Sequence, residues 1–481
     1  MNLIEISKAP KDLCIKSFKE NILNNFSLEY VSKLSSSGQL GLKYLRGMVW
    51  KILLGVLPPN DSLEKWKEKI IYLRKEYKII SDKIKKKQNY FEEKEKNNER
   101  YSNNSNNSLL IKSIYINPLR EEKETKELIN LDLKRTFQDL VLFHDEKIIN
   151  ILSHILFVWS AENEQFGYQQ GMNDILSIIF LALYPYYFKN NLKEKNNNII
   201  IDNAEELYLF FNDEDELESD LYICFNNAMK KGINNFYEFE FISKEKQNEY
   251  IKKICLFNDE IENIIAKNEE INLPLYIRCF MIIHEKLKIL DFELYSHLKK
   301  IGLNAEIIIH RWIKCIFIRE FNYQDVLIIW DSIISSPEIK IGYDLAKIDI
   351  IALSMLLRIR NFLFLCDQSQ SYMILLQYPK IENILELIIF SDKIKEAINE
   401  LLSGKKSLFL ENITNFSTDY DTNNNKDFFN NKNDMKNTDN IKSYEEGVKR
   451  LEDIFNKYHS LMEVNDEKEF INIMNFFRNY K

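Results

Sequence analysis

Two short segments of the 481-residue chain combine charged or amide side chains at spacings suited to catalysis. In the first, Asp132 and Arg135 stand three apart in a run with helical periodicity, so they share a face. A carboxylate there can hold a guanidinium in one rotamer and leave other N–H donors pointing outward, toward an anion. An ordinary surface ion pair satisfies the same spacing. In the second, Gly167 and Gly171 bracket Tyr168, Gln169 and Gln170, just ahead of Met172, Asn173 and Asp174. Two glycines between apolar runs point to unusual dihedrals or a close backbone approach. A neutral amide on such a loop can orient a water or a phosphate oxygen, and a plain interhelical turn is the competing reading.

Other chemistries find less support. The histidines are His144, His154, His284, His297, His310 and His459, and no two have the i,i+4 spacing of a helical metal site. No Gly-x-Gly pair occurs, so neither a dinucleotide fingerprint nor a phosphate-binding P-loop can be drawn. No serine sits in a glycine-framed nucleophile elbow. The cysteines Cys14, Cys224, Cys255, Cys279, Cys315 and Cys366 form no Cys-x-x-Cys unit, which points to buried free thiols, not zinc or a disulfide framework. Lys+Arg number 65 and Asp+Glu 73, a net charge of −8, which argues against a nucleic-acid binder. A hydrolase with its own nucleophile, metal or cofactor is therefore not expected.

The elements that position the two segments are expected to be helices. Gly (11) and Pro (8) make up about 4% of the chain against roughly 12% in an average protein, too few for turn-rich β sandwiches, barrels or propellers. Apolar periodicity predicts helices over 12–35, 42–57, 63–95, 122–139, 145–161, 172–188, 204–211, 217–230, 247–266, 275–286, 292–301, 305–321, 323–335, 343–363, 369–377 and 381–402. Asp61 or Ser62 is placed to cap the long third run. Asn-rich insertions near 97–113 and 190–199 and a linker over 406–442 read as disordered, and 443–481 regains helical periodicity. The most apolar run, 175–188, is too short to span a bilayer and contains Pro185, and the N-terminus has no continuous apolar stretch, so a cytosolic protein is expected.

Taken together, the two segments resemble the hallmarks of the TBC-domain family, GTPase-activating proteins for Rab-type small GTPases. Ile129, Asp132 and Arg135 complete its Ile-x-x-Asp-x-x-Arg motif; Tyr168, Gln170 and Gly171 complete its Tyr-x-Gln-Gly motif. Further segments match in family order: Arg46 and Trp50, Asn117-Pro118-Leu119, the 218–225 and 291–298 helices, Arg311-Trp312, Arg319-Glu320-Phe321 and Trp330-Asp331. The match runs from about 38 to 402. The long run after Leu57 and residues 375–379 look most like the member 13 subgroup.

The resemblance implies an all-α fold: a large V-shaped domain of two helical subdomains over 37–405, preceded by an N-terminal helix in 1–36. It implies that Arg135 and Gln170 are arginine and glutamine fingers offered in trans to a GTP-bound Rab, with Asp132 orienting Arg135 and with Tyr168 and Gly171 shaping the loop. Asn173 and Asp174 are expected to cap the following helix. Arg46 either meets the partner or braces the finger helix, and Arg311 is a further supporting candidate. Trp50, Trp312 and Trp330 are expected to be core. GTP and Mg would belong to the partner, membrane association would run through the Rab, and the role would be in vesicle trafficking. A non-catalytic Rab-binding scaffold on the same fold is the alternative. Gln138, where many members have Pro, leaves the end of the finger helix open to difference.

Overall fold

Helices form where apolar residues recur at three- and four-residue steps, and they stop where the backbone leaves the right-handed region. The computed structural model describes residues 3–101, 109–190, 203–238, 275–335 and 345–402. Among these no strand occurs; the β-bridges Ile4 with Leu140 and Phe188 with Asp213 stand alone. The expected helix 247–266, Cys255, nearly all of the 190–199 insertion, the linker 406–442 and the tail 443–481 lie outside the described residues.

The expected helix 12–35 is split. Helix α1 (Lys11–Phe18) runs into a π-type turn over Lys19–Leu23, and α2 (Leu28–Ser36) starts afresh once the Ser27 side chain accepts the Tyr30 N–H at 3.2 Å. The apolar spacing carries straight across this N-cap and hides it. Helix α3 (Arg46–Leu53) begins later than the expected 42, after Tyr44 with φ 54°, and stops short of 57 at Gly55 with φ 76°. Helix α4 (Leu63–Tyr101) follows Ser62, whose hydroxyl accepts the Lys65 N–H at 3.4 Å. It buries Trp66, Ile70, Arg74, Tyr77, Ser81 and Ile84 along one stripe.

Helix α5 (Leu109–Lys134) starts inside the expected insertion and includes Pro118. It also ends short of the expected 139: Arg135 and Thr136 N–H groups close back on the Asp132 and Leu133 carbonyls, and Phe137 turns to φ 43°. Helix α6 (Glu146–Glu162) is capped by Asp145, which accepts the Lys147 N–H at 2.8 Å. Helix α7 (Met172–Leu183) is buried at every position, and Pro185 ends it in a tight turn over Tyr184–Tyr186 instead of at 188. Each fully buried large apolar side chain contributes roughly 1.5–3 kcal/mol, so α7 is the spine of its surroundings. Then come α8 (Asn203–Phe211), α9 (Leu217–Ala228), a π-type turn with Gly232 at φ 133°, and α10 (Asn235–Glu238).

The remaining helices are α11 (Leu275–Met281), α12 (Lys288–Leu290), α13 (Phe292–Lys300), α14 (Ala305–Lys314), α15 (Tyr323–Ile334), α16 (Leu345–Arg358), α17 (Arg360–Leu365), α18 (Gln368–Leu376) and α19 (Ile384–Leu402). The expected helix 305–321 breaks after Lys314 because Ile316 and Phe317 adopt φ 47° and 62°. The expected helix 343–363 is two helices, with Ile359 outside the helical region between them.

The chain divides into two units, one of Met1–Ile277, Trp312–Asp349 and Glu382–Ile388, the other of Arg278–Arg311, Ile350–Ile381 and Ile389–Lys481. In the first, Trp50 and Trp330 are fully buried and stack with ring centroids 5.8 Å apart, and Trp312 is equally buried. In the second, the Arg360 guanidinium binds Asp291 and, at 2.7 Å, Glu293, while Tyr372 Oη accepts the Asn304 N–H at 2.9 Å.

Candidate functional site

The site lies within the first unit, where the turn after α5 meets the loop before α7. The α5 turn presents Arg135. Asp132, almost wholly buried, accepts a hydrogen bond from Arg135 Nη2, while 38% of the Arg135 side chain stays exposed. Asp132 is the only hydrogen-bond partner of Arg135 among the described residues, so most of the guanidinium N–H donors remain unspent. Thr136 anchors the turn from below: its hydroxyl donates to the Asp132 carbonyl at 2.8 Å.

The loop before α7 is built around two left-handed glycines. Gly167 has φ 59° with open space where a Cβ would sit. Gly171 has φ 107°, and a Cβ there would stand 3.2 Å from both Cys315 Sγ and Tyr237 Oη, so glycine is needed for conformation and for room. Between them, Gln169 is held: its N–H donates to Met172 Sδ and its amide to the Phe166 carbonyl, each at 3.4 Å. Gln170 is partly exposed, and no hydrogen bond to a described residue engages its amide.

A polar network joins the two segments. Tyr168 Oη donates to Asp132 Oδ2 at 2.7 Å and lies 3.2 Å from Asn173 Oδ1. One carboxylate therefore holds Arg135 with one oxygen and the glutamine loop with the other. Asn173 Oδ1 also accepts the Gly171 N–H at 3.0 Å, and its Nδ2 donates to Thr136 Oγ1 at 2.8 Å. Burial, with the Asp132 and Asp174 carboxylates close by, pushes the Tyr168 phenol far above its ordinary value, which keeps it a donor.

Asp174 fixes the floor. Its Oδ2 accepts from Arg319 Nε at 2.8 Å and Nη2 at 2.6 Å, and from Cys315 Sγ at 3.4 Å. Burial opposes the Arg319 charge, but Asp174 more than offsets it and raises its pKa. Burial pushes the Cys315 thiol up to about 12 against the pull of Arg319, so it stays neutral. Of the non-glycine residues with positive φ, Phe137, Ile316 and Phe317 all belong to segments that build this site. Such strain collects where surrounding contacts fix a functional geometry.

Some expectations need correction. The cap of α7 is Gly171, with no side-chain cap; Asn173 and Asp174 are inside the helix and serve as loop anchor and floor. The Arg46 side chain is 11% exposed and its bonds go to Asp331, not to α5. Its Nε and Nη2 grip Asp331, the latter at 2.8 Å, and Trp50 Nε1 adds a third donor to that carboxylate at 2.7 Å. Arg311 belongs to the second unit and donates to the Leu376 carbonyl at 2.9 Å. Thr136 and Tyr237 were missed by the sequence reading: Thr136 only follows Arg135 in the chain, and Tyr237 carries no local signal at all. Among the described residues no group of His, Cys, Asp or Glu could hold a metal ion, and no helix is long and apolar enough to cross a membrane.

The helical fold thus joins the arginine turn to the glutamine loop through one buried carboxylate, bonded to Arg135 on one side and to Tyr168 on the other. The Rab-GTPase-TBC domain model matches residues 43–277 and 254–364, and the chain belongs to that family. Human TBC1 domain family member 5 is 28% identical over 377 residues, covering 78% of this chain and 44% of that protein. The GTPase-activating protein GYP1 of Saccharomyces cerevisiae is 21% identical over 338 residues, covering 69% of this chain and 42% of that one. The crystal structure of the Ypt/Rab-GAP domain of Gyp1p shares the fold, with a TM-score of 0.52 at 17% identity, covering 82% of this chain and all of that one. The chain spans less than half the length of the curated relatives it matches. The first of these relatives carry the number 5, not the 13 expected from residues 375–379.

Proposed function

We propose that this chain accelerates GTP hydrolysis by a Rab-type small GTPase, with Arg135 as an arginine finger and Gln170 as a glutamine finger. The observation that supports this most directly is the Asp132 carboxylate, bonded at once to Arg135 and, at 2.7 Å, to Tyr168 of the glutamine loop. A single buried hub aims both groups, which lowers the entropy lost when they meet one phosphoryl group.

On this reading a GTP-bound GTPase brings the nucleotide and its Mg ion. As the γ-phosphoryl group leaves, negative charge grows on its oxygens, and the outward N–H groups of Arg135 neutralise it. An arginine supplied in this way is worth roughly 10³–10⁵ in rate, or about 4–7 kcal/mol. The Gln170 amide holds the attacking water by accepting its hydrogen and donating to a phosphate oxygen. The chain keeps no nucleotide of its own, works in the cytoplasm, and reaches endomembranes through the GTPase, so that its role is in vesicle trafficking. The finer likeness to member 13 rests on α4 and residues 375–379, and separate comparison of those segments with members 5 and 13 tests it.

The deciding experiment is a single-turnover GTP-hydrolysis screen of the purified chain against a panel of Rab GTPases, with Arg135→Ala as control. Stimulation by the native chain that vanishes in the variant is the expected result. Equal stimulation by both sinks the assignment, and binding without stimulation favours the scaffold.

A further inference from the structure

The arginine loop is not held by α5 alone. Beyond Phe137 it is paired with a segment remote in sequence. Ile4 N–H donates to the Asp139 carbonyl at 2.7 Å, and Val141 N–H donates back to the Ile4 carbonyl at 3.0 Å. Four and five residues on, the same segment is fixed again, at Lys8 and Ala9. Lys8 Nζ donates to the Tyr184 and Tyr187 carbonyls, each at 3.0 Å, lies 3.4 Å from Glu214, and sits 3.7 Å from the centroid of the Tyr184 ring. Ala9 N–H donates to the Pro185 carbonyl at 2.8 Å. Those carbonyls belong to the turn that ends α7, the helix whose other end carries the glutamine loop.

We propose that residues 3–9 form a positioning strap that ties the arginine loop to the far end of the glutamine helix and so fixes the spacing of the two fingers. This rests on the reading of Arg135 and Gln170 given above. The dimensions agree. The five steps from Ile4 to Ala9 can reach about 17 Å at roughly 3.3 Å each. The twelve residues of α7 span about 18 Å at roughly 1.5 Å each. Thr136 meets Asn173 at the start of α7, the strap meets the same loop at Asp139 and Val141, and its other end meets Pro185 just past the end of α7, so strap and helix both link the arginine loop to that turn.

The hold is backbone pairing and one lysine, not core burial. Leu3 and Ile4 are 50% and 42% exposed, whereas the buried Cys14 and Phe18 lie beyond the strap on α1. Removing the strap therefore costs little stability. It frees the Asp139–Val141 side of a loop whose other side is the α5 turn, leaving the buried Leu140 and the Phe137–Phe143 ring contact at 5.3 Å to hold it. A loop so loosened samples positions in which Arg135 is misplaced, and displacements near 1 Å carry large rate penalties.

Two variants of the full chain test this: deletion of residues 3–7, and Ile4→Pro, which removes only the N–H donated to Asp139. Both should leave the melting temperature within a few degrees of native. Amide exchange at Val141 should speed up, because its acceptor is gone or displaced. With a GTPase that the native chain stimulates, kcat should fall about tenfold while KM stays within about twofold. Native kcat in both variants, or unchanged Val141 exchange, overturns the strap. If the native chain stimulates no Rab, the parent reading fails separately, and Val141 exchange still decides whether the segment holds the loop.

Discussion

Two aspartates of the first unit do the same chemistry and reach opposite ends. Asp132 binds an arginine through one oxygen and a tyrosine hydroxyl through the other. Asp220 binds Arg74 through both oxygens at 2.8 Å, and also Tyr187 Oη at 2.6 Å and Lys51 Nζ at 3.1 Å. The difference is in the cation. The remaining Arg74 donors go to the Phe210 and Phe211 carbonyls at 3.1 and 3.2 Å, and Lys51 binds Phe211 and Asn212 oxygens. Four of the five Arg74 N–H donors and all three of Lys51 are taken. Burial drags the Lys51 amine below its ordinary value despite Asp220, while Lys51 and Arg74 hold the Asp220 carboxyl below its own. Arg135 bonds only Asp132 among the described residues and keeps 38% of its side chain exposed. An aspartate–arginine–tyrosine group is thus a structural lock where nearly every donor is consumed and a presenting device where most donors are spared.

Mutations at matched positions should separate the two. The largest effect is expected from Arg135→Ala: stimulated hydrolysis falls by about 10³-fold or more with GTPase affinity nearly unchanged, measured by single-turnover kinetics and titration. Arg135→Lys should fail as well, since an ammonium lacks the planar fork. Next, Asp220→Ala leaves two buried cations without their carboxylate and should cost about 3–5 kcal/mol of stability in urea titration, with kcat per folded molecule intact. Gln170→Ala should lower the stimulated rate by about 10²-fold even when the GTPase retains its own glutamine, with no shift in melting.

The smallest and sharpest pair is Tyr168→Phe against Tyr187→Phe. Each removes one hydroxyl donated to a carboxylate, worth about 1.5–3 kcal/mol. Tyr168→Phe should cut kcat per folded molecule roughly tenfold and also lower the melting temperature, because Asp132 is buried. Tyr187→Phe should lower the melting temperature and leave kcat alone. A reversed pattern would break the distinction between lock and presenter.

The motif residues were legible because their spacing is local. Asp132 and Arg135 share a helix face whatever the rest of the chain does, and Gly167 and Gly171 announce a special backbone. What escaped was long-range. Nothing near Arg46 indicates that it will grip Asp331, 285 residues away, and nothing near Tyr237 indicates that it will lie under Gly171. Helix ends failed for a related reason: apolar periodicity runs unbroken through Ser27, Ile316 and Ile359, while the chain turns there to satisfy caps and tertiary hydrogen bonds.

The sequence alone therefore settled composition, period and local spacing: few glycines and prolines, three-and-four apolar steps, and two short polar motifs. These determine that the chain is helical, that it lacks a phosphate loop, and which arginine and which amide share a neighbourhood with special backbone. Tertiary structure alone decided which charges are spent and which are spared. That depends on what each guanidinium's last N–H groups meet, and no local rule gives it: the carbonyls that absorb Arg74 lie about 136 residues away in the chain, while Arg135 stays 38% exposed.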